Sequence, residues 1–195
     1  FCRTTWQYAL LILSVVLLMV VSTSFNQILV IILGAISGIL AGHFFQSDLK
    51  PKEINKMAIS SPYIRSAAAP YWLLAFILPF FLLPLAGKLW GESDLLFFSN
   101  FYQTGSLVFG GGHVILPLLY QDFVTTGLVS AQSFDLGYAF AQLMPGPLFS
   151  FASYIGALLP WTPYVWLNAV LATCAIFLPS FFLIFATLPY WSWLM

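Results

Sequence analysis

Charge is what this sequence has least of. Six Lys and Arg and six Asp and Glu are spread over 195 residues, only 6% of the chain. A soluble domain carries about a quarter charged residues. With 61% hydrophobic residues and a mean hydropathy of +0.96, the chain is predicted to be an integral membrane protein. A net charge of zero leaves no electrostatic footprint for nucleic acid, so no nucleic-acid partner is expected. Cysteine is scarce as well. Cys2 and Cys174 lie far apart, and Cys174 sits inside an apolar run, which supports no disulfide framework. The only histidines, His43 and His113, have no thiolate or carboxylate cluster beside them. No metal and no cofactor are expected.

What is present is a series of apolar runs. Trp6 to Val21 and Ile28 to Phe45 are predicted to form a helical hairpin around the polar turn "STSFNQ". Gly34, Gly38 and Gly42 recur every four residues, a face that another helix can approach closely. "SDLKPKEINKMAISSPYIR", Ser47 to Arg65, is the one hydrophilic stretch. It carries Lys50, Lys52, Lys56 and Arg65, and two spans place Arg3 on the same side. The positive-inside bias makes that side cytoplasmic. The expected organisation is a hairpin at 1–46, a cytoplasmic linker at 47–68 and a membrane domain at 69–195. The chain reads as a piece of a longer protein, and the last domain as incomplete.

In the membrane domain, Tyr71 to Ala86 is predicted as a span bent at Pro79 and Pro84. Leu95 to Phe109 is apolar, with Asn100, Gln103, Thr104 and Ser106 on part of one helix surface, which should look inward because lipid offers no hydrogen bonds. A last span covers about Tyr164 to Leu188, bent at Pro179, and "LPYWSW" resembles an interfacial aromatic belt.

Between these spans the helical pattern breaks twice. "SLVFGGGHVILPLLYQDF" places Gly110, Gly111 and Gly112 ahead of His113, and the helix to Val124 is about 18 Å long, too short for a bilayer. Ser133 to Met144 and Leu148 to Leu159 are two more short helices, separated by "PGP", Pro145 to Pro147. Prolines deprive the preceding carbonyls of donors, and Pro147 suits the first position of a new helix, with Gly146 as its cap. The amides of Leu148 and Phe149 then have no acceptor within the helix. Helix starts of this kind carry partial positive charge and attract anions, and glycine lets a ligand reach the backbone. Discontinuous helices opening toward the membrane centre serve anionic substrates in secondary transporters. The expected fold is therefore all-α: a polytopic membrane protein with kinked and discontinuous helices around a mid-membrane anion site.

"SLVFGGGHVILPLL", "GYAFAQLMPGPLFSFASYIGA" and "IFLPSFFLIFA" together resemble the C-terminal half of the chromate ion transporter family, from about Leu95 onward. The first hairpin and linker fit the region joining that family's two halves. The resemblance implies chromate efflux across the inner membrane of bacteria by a multi-pass protein built of two related halves, so that the missing first half, or a second chain, would be a partner. Sulfate shares the charge and shape of chromate.

The expected substrate-binding set is Gly110, Gly111, Gly112, His113, Gln142, Gly146, Leu148, Phe149 and Ser150. Gln142 can donate two hydrogen bonds without adding charge. His113 and Asp122 are the proton-coupling candidates. Asp135 is read as a helix-end residue and Tyr154 as packing. Two rival readings stand beside transport: a non-transporting partner subunit, and a membrane-embedded enzyme using His113 as base. The enzyme reading lacks a matched nucleophile and carboxylate, so the chain is expected not to be an enzyme.

Overall fold

The computed structural model describes residues 5–20, 26–44, 68–108 and 112–190. They are helical, without strands. The linker 47–65, Gly110, Gly111, Arg3 and the end of the aromatic belt lie outside the described residues, as does the side chain of His113.

Two compact units divide between Met57 and Ala58. In the first, α1 (Thr5–Val20) pairs with α2 (Asn26–Phe44) as a hairpin. A Cβ added at Gly34 or Gly38 would meet nothing within 4 Å, so these two glycines have no close neighbour among the described residues.

The second unit is framed by two long apolar helices, α3 (Ala69–Trp90) and α8 (Val165–Thr187), each long enough to cross a bilayer. They run antiparallel: Trp72, near the start of α3, packs at a tilt against Phe182 and Phe185, near the end of α8. α3 ends at Gly91, whose φ of 67° is a left-handed conformation that glycine adopts at no steric cost. α4 (Ser93–Leu107) then returns along α3.

The α3–α4 seam answers a chemical need. Pro79 and Pro84 have no N–H, so the carbonyls of Ala75 and Phe80 lose their helical donors. α4 supplies replacements. The Tyr102 hydroxyl donates to Phe76 O at 2.9 Å and more distantly to Ala75 O at 3.4 Å. Gln103 Nε2 donates to Phe80 O at 3.0 Å. Gln103 thus satisfies the carbonyl freed by Pro84, while Tyr102, the residue before it, reaches the carbonyl freed by Pro79 only at 3.4 Å.

α4 crosses α8 with backbone contact at Gly105. A Cβ there would run into the backbone oxygen of Ile176, so only glycine allows the approach. Ile176 is the middle residue of α8. The core around this crossing is apolar and aromatic. Phe101 stacks on Phe123 at 4.7 Å and on Trp161 at 6.3 Å. Asn168, 2% exposed, accepts from the backbone and hydroxyl of Thr162 and donates to the carbonyls of Leu159 and Thr162, holding the turn into α8.

Candidate functional site

Among the described residues, α4 ends at Leu107 and a new helical turn starts at Gly112, and α6 ends at Leu143 and a new helical turn starts at Leu148. After α4 the chain enters a helical arm made of a 3₁₀ turn at Gly112–Val114, α5 (Ile115–Leu119) and a π turn at Tyr120–Val124. This arm lies antiparallel to α4, since Phe123 meets Phe101 and Asp122 meets Thr104 further along. α6 (Ala131–Leu143) starts at Ser130, whose hydroxyl accepts the Ser133 amide at 3.1 Å. After "PGP" comes a 3₁₀ turn at Leu148–Ser150 and then α7 (Phe151–Leu158). α7 lies back along α6: Phe151 packs on Phe134, and the Tyr154 hydroxyl donates to Ser133 O at 3.0 Å. Tyr154 is a packing residue as expected, its ring covering Gly137 so closely that a Cβ there would collide with it.

The second unit thus holds two antiparallel hairpins, α4–α5 and α6–α7, between two full-length helices. The sequence suggested helices interrupted in mid-span. In the structure each half-length helix pairs with its own predecessor, Phe123 against Phe101 and Phe151 against Phe134.

The two hairpin tips meet. A Cβ added to Gly112 would lie 2.5 Å from Leu148 Cβ. Phe149, next to Leu148, packs at a tilt against Phe177 of α8, at 5.6 Å between centroids. Phe177 adjoins Ile176, so the tips lie beside the middle of a bilayer-length helix. Gly112 and Leu148 are therefore together, with Phe149 next in the chain. Gly146 and Ser150 belong to the same tip, Ser150 half-buried and Gly146 exposed.

Several details differ from the sequence reading. Pro147, rather than Gly146, caps the helix after "PGP", with Ser150 N donating to Pro147 O at 3.0 Å. Extended backbone at Pro147 explains this, since its ring fixes φ near the helical value without donating. Both new helices open with a tight 3₁₀ turn instead of an α turn. Gln142 is exposed, and its Nε2 donates to the Tyr138 hydroxyl one turn earlier. The polar face of α4 looks inward but toward more than one neighbour. Gln103 serves α3, Ser106 Oγ bonds back to Tyr102 O at 2.8 Å, and Thr104 points toward Asp122. Asp135 is exposed on the first half of α6.

The electrostatics of the tips are mixed. α5 and α7 bring helix N-termini, which favour negative charge, while α4 and α6 bring C-terminal carbonyls to the same place. From Leu89 to Met195 there is no Lys or Arg at all. An anion held here would rest on amide geometry and on neutral donors.

Residues 95–195 match the family described as Chromate transporter. The chain is similar to the chromate transport protein of Pseudomonas aeruginosa, 33% identical over 89 residues, or 46% of this chain and 20% of the relative. It is also similar to the probable chromate transport protein of Synechococcus elongatus, 35% identical over 93 residues, or 47% of this chain and 23% of the relative. An uncharacterized transporter of Methanocaldococcus jannaschii is 24% identical over 140 residues, covering 71% of this chain and 34% of that protein. The chain spans between a fifth and about a third of the length of these relatives. No solved structure matches it.

Proposed function

The chain belongs to the chromate transporter family, and on that premise we propose that it forms part of a secondary transporter carrying chromate, or a like-shaped dianion such as sulfate, out of the cell. The observation that carries this reading is the meeting of Gly112 and Leu148, which brings two helix starts to one place beside the middle of α8. The anion would be held by backbone amides of Gly110, Gly111, Gly112 and His113 on one tip, and of Gly146, Leu148, Phe149 and Ser150 on the other. The His113 side chain, the Ser150 hydroxyl and Gln142 would supplement them. Gln142 would turn from Tyr138 to do so. A site built from dipoles instead of full charges binds weakly enough to release its ligand, which transport requires. The protein would sit in the inner membrane as a multi-pass chain, its basic linker at 47–68 on the cytoplasmic side between the hairpin at 1–46 and the domain at 69–195.

A second reading has support in the short coverage of the relatives: the chain supplies one part of a pathway whose remainder comes from further residues or a second chain. In that case it binds the anion without moving it alone.

Purified chain in detergent, titrated with chromate and sulfate, tests the anion site through thermal stability. Both dianions are expected to stabilise it, and cations are not. Gln142→Leu should weaken chromate binding by about 1–3 kcal/mol, roughly five- to more than a hundredfold, and Gln142→Glu should weaken it further. Radiolabelled chromate flux in vesicles then separates transport from binding. Stabilisation by cations and by no anion would overturn the reading.

A further inference from the structure

The contact between Thr104 and Asp122 lies inside the α4–α5 hairpin, apart from the tips. The Asp122 side chain is half-buried and lies on the side of its arm that faces Thr104. Thr104 is 1% exposed, and its Oγ1 has no hydrogen-bond partner among the described residues. Thr104 adjoins Gly105, which rests on the Ile176 carbonyl at the centre of α8. Asp122 itself is close to the far end of its own arm, ten residues from Gly112 at the tip.

The backbone at Asp122 is unusual too. Thr125 N–H donates to Tyr120 O, five residues back, and the Thr126 hydroxyl donates to Asp122 O at 2.8 Å. A π turn has poorer helical geometry than an α turn and frequently occurs at functional positions.

The charge around it is one-sided. The titratable groups on the elements packed against this arm are Asp94 and Tyr102 of α4 and Asp135 and Tyr138 of α6, with His113 and Tyr120 on the arm itself. Tyr102 is committed to carbonyls of α3, and Tyr138 accepts from Gln142. Tyr120 packs its ring edge-on against Phe134, and both Asp94 and Asp135 are exposed. None is a Lys or Arg, and the chain has no Lys or Arg after Lys88. A carboxylate inside a membrane domain is costly unless it is paired with a cation or protonated.

We propose that Asp122, positioned by Thr104, is the proton-carrying group that links anion movement to proton movement, a role that rests on the transport reading. The carboxylate takes a proton from water open to one face, becoming a neutral carboxyl. It returns that proton to water on the other face after the conformational change. Only an O–H bond forms and breaks. Thr104 orients the carboxyl by donating to it when it is ionised.

The full chain, with Asp122→Asn, Thr104→Val and Thr104→Ser variants, is reconstituted in vesicles with radiolabelled chromate. The ratio of proton-gradient-driven flux to chromate–chromate exchange should fall about tenfold or more in Asp122→Asn. Thr104→Val should displace the pH profile of the driven flux, and Thr104→Ser should restore it. Infrared difference spectra on changing pH, with isotope-labelled aspartate, give a readout independent of flux. The parent should show a carboxyl band that Asp122→Asn lacks. Identical spectra in parent and Asp122→Asn, or an unchanged flux ratio, would overturn the proposal. A band lost in Asp122→Asn together with no chromate flux in the parent supports the proton site and overturns the transport reading.

Discussion

Gly112 and Leu148 sit on different hairpins, yet a Cβ on the glycine would come within 2.5 Å of the leucine Cβ. A flexible side-chain end could move aside, but a Cβ is fixed to its backbone. The two tips are therefore in register only while position 112 has no side chain.

Gly112→Ala should push the tips apart, costing about 1–3 kcal/mol of overpacking and most of the anion-induced stabilisation. Leu148→Gly, which removes the opposing Cβ, should restore part of both in the double variant. Thermal unfolding in detergent with and without chromate measures each term. Additive losses in the double variant would mean that the contact does not couple the tips.

Gly105 and Gly34 form a matched pair of opposite sign. At Gly105 an added Cβ meets backbone oxygen, which no rotamer change can relieve, so Gly105→Ala should destabilise by about 3 kcal/mol or more. At Gly34 the space is open, and Gly34→Ala should be neutral or stabilising by up to about 1 kcal/mol through helix propensity. Comparable unfolding temperatures for both variants would show that α4 and α8 do not pack as described.

The proline bends give a double-variant test. Gln103→Leu leaves the Phe80 carbonyl without its donor and should cost about 1–3 kcal/mol. Pro84→Ala in that background returns an N–H to the same carbonyl, so part of the loss should be recovered. Tyr102→Phe should show a similar loss, with no recovery from Pro84→Ala, because Tyr102 serves Ala75 and Phe76 near the other proline. Recovery in both backgrounds would detach the effect from these specific bonds.

The hairpins also determine which loops share a face. Single cysteines at Glu92, Thr126 and Pro163, in a background without Cys2 and Cys174, should all react from one side of the membrane. A cysteine at Ser60 should react from the other, cytoplasmic, side. If Thr126 and Glu92 label from opposite sides, α4 and α5 cross the membrane in succession and the hairpin description fails.

Much of this protein is dictated by local chemistry and was legible without coordinates. Apolar run length marked α3 and α8, because spanning a bilayer needs about 20 apolar residues whatever they pack against. The breaks at Gly112 and at Pro145 to Pro147 were equally plain, since proline removes donors and repeated glycine weakens a helix wherever it lies. Tyr154 was read as packing, and it covers Gly137. The direction taken after each break was not legible. A half-length helix is compatible with going on or turning back, and only the pairings of Phe101 with Phe123 and Phe134 with Phe151 decide it. Nor could the sequence show that Tyr102 and Gln103 serve carbonyls more than twenty residues earlier, or that Thr104 faces Asp122. Those partners are remote along the chain. Hydrophobic periodicity says which side of a helix is covered, but the identity of the neighbour depends on how all the helices pack together.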